Sequence, residues 1–258
     1  MEYEIEYIDG CMLRYPKVLY KYRDWNNPFH RNVLTDSALY FASPKDFEDI
    51  KDCNVPEKFP QKNELYEYFI NKAKNEYPLW SRQQRRIYAR KWAVKSPLAD
   101  PVRLKEHIKL LNTEFNERFG VLSMTSNPNN DEMWIKYAND HSGVCYGFNS
   151  KILFSCFCGG GGEVQYVKEL PVIDFAEDDF EEKHIKNIFF KEDKWSFENE
   201  YRLHKMWNSK PTVNERNIKF PNDCLEEVHL GKLISENDKE DILNIVKLKF
   251  PKAKIIEH

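Results

Sequence analysis

Polar and apolar residues alternate along Val18-Leu19-Tyr20-Lys21-Tyr22-Arg23. This predicts a strand with Leu19, Lys21 and Arg23 on one face and Val18, Tyr20 and Tyr22 on the other. A mainly aromatic face opposite a partly basic one leaves two readings for Lys21 and Arg23: they line a cleft, or their heads reach out to solvent. Asn26-Asn27-Pro28 breaks the chain, and Ala38-Leu39-Tyr40-Phe41-Ala42 predicts a second strand closed by Ser43-Pro44. Ser43 there either caps the next turn or stands in a site at the strand end. Residues 1–16 show no clear period and suit a short strand or a packed arm.

The pattern turns helical over 63–95, with breaks near Pro78 and Pro97. Asp100-Pro101 then has the form of a helix start, with proline at the first helical position. Leu104, Ile108, Leu111 and Phe115 recur at helical spacing and predict a core stripe, and Gly120 is expected to end that helix. Val121 to Thr125 predicts a buried strand, followed by the loop Asn127-Pro128-Asn129-Asn130. A short helix capped by Asp131 places Trp134, Tyr137 and Ala138 together; Gly143 makes a turn into a strand over Val144 to Phe148. Glu163 to Val167, Glu227 to Leu230 and Ala253 to Ile256 predict further strands. A last helix, capped by Ser235 or Asn237, runs through Leu248. Adjacent strands with helices inserted between them give an α+β class: one domain over 1–258 with a helical insertion at 63–118.

Composition narrows the function classes. In 258 residues, 41% are hydrophobic and 14% aromatic, enough for a core, and a net charge of -3 excludes a globally basic nucleic-acid binder but not a local basic face. Residues 81–95 supply such a face. Arg82, Arg85, Arg86, Arg90, Lys91 and Lys95 occur there without an acid, interleaved with Tyr88 and Trp92. That is the pattern of a phosphate-facing helix or of a solvated helix with core aromatics. The acids of 174–182 suit a solvated helix, or one that lies against the basic helix or a partner. No apolar run spans a bilayer, the first residues are acidic, and the scattered cysteines suit a reducing cytoplasm. Cys156 and Cys158 have the wrong spacing for zinc, and Gly159 to Gly162 suits a hairpin tip.

Candidate chemistry concentrates in Trp195-Ser196-Phe197-Glu198-Asn199-Glu200-Tyr201-Arg202-Leu203, a loop entering a strand. Glu198 and Glu200 stand two apart, so on a strand both occupy one face, where two acids repel and one gains a raised pKa. Alternatively one of them pairs with Arg202. His141 either binds a ligand or locks the turn after its helix. A third reading assembles Asp49, Asp52, Glu198 and Glu200 around a metal as a nuclease, although the ligand set is thin.

Three ordered blocks resemble the bacterial domain of unknown function 2971 family over roughly residues 18–232. They are Leu19–Arg23 with Leu39–Pro44; Met133-Trp134 through Phe148; and Trp195, Glu198, Glu200, Tyr201 and Arg202. The family's Asn-Asp-Pro-Phe-Asp-like segment is replaced here by Glu48-Asp49-Ile50-Lys51-Asp52. The order Arg23, Ser43, Glu198-Asn199-Glu200 is also similar to that of ADP-ribosyltransferases. The second resemblance implies a split, mainly antiparallel sheet, NAD as substrate, and Glu200 as the essential acid with Glu198 orienting or deprotonating the acceptor. It also implies a supporting Arg23 and Ser43, and Lys21, Tyr22, Tyr40, Trp195 and His141 around the nucleotide. The expected product is ADP-ribose on a nucleic acid or protein, as in a bacterial toxin or anti-phage effector with a neutralising partner. The alternative is a non-catalytic nucleotide or nucleic-acid-binding module, with Arg82, Arg85, Arg86, Arg90 and Lys91 on the nucleic acid.

Overall fold

The computed structural model describes residues 3–8, 11–157 and 160–258. Gly159, the start of the expected glycine tip, and Cys158 before it lie outside the described residues. A seven-stranded sheet organises the chain. Its strands in chain order are β1 (Val18–Arg23), β2 (Phe119–Thr125), β3 (Val144–Asn149), β4 (Gly161–Glu163), β5 (Glu200–Met206), β6 (Leu225–Leu230) and β7 (Lys254–Glu257). In space they run β7-β6-β3-β1-β2-β5-β4. Only β6 and β7 pair in parallel; every other neighbour is antiparallel. The fold is therefore α+β with a mostly antiparallel sheet.

One seam in this sheet matters for the site. β1 pairs with β3 along its whole length, Val18 to Arg23, but shares with β2 only the pair Tyr20–Thr125. Beyond that pair the two strands part. A strand backbone left unpaired inside a protein must bond elsewhere. Here the Lys21 ammonium donates to the Ser123 carbonyl across the gap. One side of the sheet is closed by Leu19, Leu122, Tyr146, Phe148, Tyr201 and Leu203, all buried.

Helices are labelled α1 (Leu65–Glu76), α2 (Arg82–Lys95), α3 (Pro101–Arg118), α4 (Asp131–Tyr137), α5 (Phe180–Phe189) and α6 (Glu236–Lys249). Their starts follow local chemistry. Ser81 and Gln84 form a capping box at α2, as do Asp179 and Glu182 at α5. Asp100 accepts from the Val102 and Arg103 amides at α3. Tyr88 and Trp92 pack with Leu65, Phe69 and Ala89 between α1 and α2, so the aromatics of the basic helix are its packing face. No helix among the described residues is long and apolar enough to cross a membrane.

Several sequence expectations change. Within the first sixteen residues, two strands, Tyr3–Ile8 and Cys11–Pro16, pair antiparallel. The second predicted strand shortens to Ala38–Tyr40 and pairs with Asn217–Lys219 outside the main sheet. Gly120 does not end a helix: α3 stops at Arg118 and Gly120 lies in β2, where a Cβ would come within 2.6 Å of the Trp207 ring. Asn130, not Asp131, caps α4. Glu163 to Val167 is two strands in different sheets, Gly161–Glu163 and Gln165–Val167. The Leu104–Phe115 stripe is not core, since α3 has no buried residue.

Candidate functional site

Glu198 and Glu200 do not share a strand face. Glu198 ends a 3-10 helix, Asp193–Glu198, and Asn199 takes the left-handed conformation (φ 43°) before β5 begins at Glu200. Asparagine tolerates that turn better than most residues. The two carboxylates nevertheless meet, because Lys191 is inserted between them. Its Nζ lies 2.5 Å from Glu198 Oε2, 3.2 Å from Glu200 Oε2 and 3.4 Å from Asp52 Oδ2.

The two acids have different second partners, and this separates their chemistry. Glu200 is buried; the Arg202 guanidinium donates to both its oxygens, at 2.8 and 3.0 Å, and also reaches Asp52 at 2.8 Å. Burial alone would raise the Glu200 pKa, but Arg202 and Lys191 outweigh it and hold the group at about 2. Glu198 lacks the arginine. It takes one bond from Lys191 and one from the Tyr137 hydroxyl at 2.6 Å, and its pKa is raised by burial, against Lys191, with Glu200 adding to the rise. The pairing with Arg202 thus falls to Glu200, and Glu198 is held by Lys191 and Tyr137 instead.

These groups form one wall of a cavity of about 350 Å³ that opens at the seam between β1 and β2. Lys21 and Arg23 stand on the β1 wall, Ser123 and Thr125 on β2, and Tyr137 and Trp195 on the flank. The Arg23 guanidinium has no hydrogen-bond or ion-pair partner among the described residues. Burial, partly offset by Tyr146, pushes its pKa down to about 10, so it stays cationic at neutral pH. Burial, then Arg23, pull the Lys21 pKa well below the usual lysine range. Trp195 is fixed by its indole N–H on Asp49 Oδ2 at 2.6 Å, with the Lys136 ammonium 4.1 Å from the ring centroid. The cavity therefore has a cationic end suited to phosphate or carboxylate and an acidic end suited to a hydroxyl or a developing cation. Its volume lies in the lower part of the ~300–1,000 Å³ range of small-molecule sites.

Of the residues expected at the site, the fold brings Lys21, Tyr22, Arg23, Trp195, Glu198 and Glu200 to this cavity. Tyr22 spends its hydroxyl on the Asn127 carbonyl and the Asn130 amide, and its ring lies edge-on to Trp134. Ser43 is not at the site: it is buried, and its hydroxyl donates to the Asn116 carbonyl at 2.5 Å. Tyr40 lines a neighbouring cavity that shares Arg23. His141 is also elsewhere; it is buried, 3.1 Å from Asp131 and stacked on Trp134. It lies in a left-handed turn with Asn139 and Asp140, which is the structural alternative. Gly143 completes that turn, where a Cβ would stand 2.3 Å from the Arg23 carbonyl.

Arg82, Arg86, Arg90 and Lys91 are exposed on α2, whereas Arg85 donates to the Pro78 carbonyl at 2.7 Å. The nuclease set fares less well. Lys191 and Arg202 occupy the space among Asp52, Glu198 and Glu200, and among the described residues no group of three or more such side chains is disposed to hold a metal ion. Lys191, Tyr137 and Ser123 are the site residues that sequence reasoning missed. Lys191 carried a signal: a single cation closing the run Ile188-Phe189-Phe190 just before two acids. No family model, no curated protein and no solved structure matches the chain.

Proposed function

We propose that the seam cavity binds NAD and that the protein transfers its ADP-ribose to a nucleic-acid or protein acceptor, as a toxin or anti-phage effector controlled by a partner protein would. The observation that carries this reading is the unpartnered Arg23 facing the same cavity as Glu198. The diphosphate lies against Arg23 and Lys21, and Trp195 offers a ring face to the nicotinamide or adenine. The bond between ribose C1′ and the pyridinium nitrogen breaks with its electron pair passing to the nicotinamide, which leaves neutral. The Glu198 carboxylate stabilises the cationic character left on the ribose. The acceptor's nucleophile then bonds to C1′, and its proton passes to Glu198, whose raised pKa suits a base. In this assignment Glu198, not Glu200, is the catalytic carboxylate, and Glu200 positions Lys191 and Arg202. The parting of β1 from β2 supports the split-sheet resemblance.

Release of nicotinamide from NAD is the test, with acceptors supplied as cell extract. Glu198→Gln should slow release by roughly 10²–10⁴-fold, the usual contribution of a general base. No release by the unaltered protein would remove the transferase reading. The second reading, a nucleotide-binding module without chemistry, is favoured by one observation: every carboxylate of the cluster already touches a cation. It requires NAD to bind equally well to wild type and Glu198→Gln with no nicotinamide released.

A further inference from the structure

A second cavity, of about 470 Å³, lies on the far side of Phe47 and Asp52, which line both spaces. Its walls come from the insertion helix α3, from the start of α5 and from the loop over 44–57 that follows the Ala38–Tyr40 strand. Phe115 and Phe119 stack at 4.7 Å with 19° between planes, and Phe175 and Phe180 face the same space. The apolar stripe of α3, whose periodicity marks it for burial, is only half covered here, and Phe180 is 81% exposed. Asn112 and Asn116 stand four apart on α3, bracketing Phe115 on the cavity side. Neither carboxamide has a hydrogen-bond partner among the described residues. The space thus offers ring faces together with paired donor–acceptor edges.

The surroundings add charge. Lys45 and Lys183 lie on the lining. Phe175 also borders a groove that runs past Tyr88 and Trp92 of α2. The exposed Arg82, Arg86 and Arg90 follow one another at four-residue intervals on that helix, giving a cationic ridge with about 6 Å between successive positions.

We propose that this second cavity receives an unstacked nucleobase of a single-stranded nucleic acid, held between phenylalanine rings and read by the Asn112 and Asn116 carboxamides. A base has two apolar faces and a hydrogen-bonding edge, and these are what the walls complement. A single strand presents its bases without the cost of opening a duplex, and its phosphates suit the α2 ridge. The inference deepens the transferase reading, on which it rests for its place beside the NAD cavity, by naming a nucleic acid as the acceptor class.

The test is binding of a short single-stranded DNA carrying one 2-aminopurine, followed by the fluorescence of that base, with free 2-aminopurine riboside as a second arm. A saturable change is expected with the strand. A smaller affinity for the riboside separates the base pocket from the contribution of the phosphates. Phe115→Ala should weaken binding roughly five- to hundredfold, the span of one base–aromatic stack. Phe180→Ala and Asn116→Ala, both outside the core, should each weaken it at least severalfold in protein that melts like wild type. Unchanged binding in both variants overturns the proposal. So does absence of any fluorescence change, including the case in which sedimentation shows a second copy of the chain covering Phe180. Protein that binds the probe through this cavity but releases no nicotinamide leaves the base pocket standing and removes the transferase reading. Protein that releases nicotinamide while Phe180→Ala and Asn116→Ala bind the probe normally removes the base pocket alone.

Discussion

Replacing Lys191 with methionine should be the most damaging single change at the seam cavity. Lys191 is 7% exposed, and its ammonium contacts three carboxylates at 2.5, 3.2 and 3.4 Å. Burial lowers its pKa, but Glu200, Asp52 and Glu198 outweigh that and raise it above the ordinary lysine range. At an effective dielectric constant near 20, a unit pair about 4 Å apart attracts by ~4 kcal/mol. Three such contacts exceed the several kcal/mol that desolvating one ammonium costs. Methionine fills the volume but leaves Glu200 and Asp52 with Arg202 alone and Glu198 with no cation. Stranding buried charge in this way costs about 3–5 kcal/mol. For a chain of this size that lowers Tm by roughly 6–20 °C at pH 7.5.

The pH dependence fixes the cause. Glu198 already has a raised pKa, and losing Lys191 raises it further. A carboxyl whose folded pKa exceeds its unfolded value, about 4.3, takes up a proton on folding. Stability is then greatest at low pH and is lost as pH rises through the folded pKa. The gap between variant and wild type should therefore narrow as pH falls from 7.5 to 5. Glu200 runs the other way: its pKa near 2 gives stability that is present above about 4.3 and is lost as pH falls toward 2, so measurements at pH 5 stay clear of it. The double variant Lys191→Met/Glu198→Gln should recover most of the loss at pH 7.5. Urea denaturation across that pH range is the assay. A deficit under ~1 kcal/mol, or a gap that does not shrink on acidification, would refute the ion-cluster account.

Arg23→Ala should leave Tm within a few degrees, since the guanidinium has no partner to lose, while weakening NAD binding roughly 10–150-fold, the worth of a charge-assisted bond; thermal denaturation reads the first outcome and titration calorimetry the second. Ser43→Ala should cost about 1 kcal/mol through the lost bond to the Asn116 carbonyl and leave nicotinamide release unchanged. Changing Arg82, Arg86 and Arg90 together to Gln should flatten the salt dependence of single-strand binding by about two units of log–log slope, at ~0.7 per phosphate contact; a slope equal to wild type would place the strand elsewhere.

Much of the fold was legible because it rests on neighbours in the chain. The alternation over Val18–Arg23, the start at Asp100-Pro101 and the turn at Gly143 each follow from the backbone preferences of a few contiguous residues. The acid pair was visible too, as was the basic strand that shares its cavity. Where local rules misled, a distant segment had intervened. Gly120 is held by the Trp207 ring, and the α3 stripe depends on whether another surface arrives to cover it.

By itself, then, the amino-acid order determined the mixed architecture, the principal helices and strands and the presence of unlike charges at two places far apart in the chain. Only the tertiary structure decided which carboxylate pairs with the arginine and which with Lys191 and Tyr137. That difference comes from Arg202 reaching Asp52 across 150 positions of sequence and from Lys191 filling the space between Glu198 and Glu200. Periodicity is a property of adjacent residues, whereas the pKa of a buried acid is set by whatever charges the fold brings within a few ångströms of it.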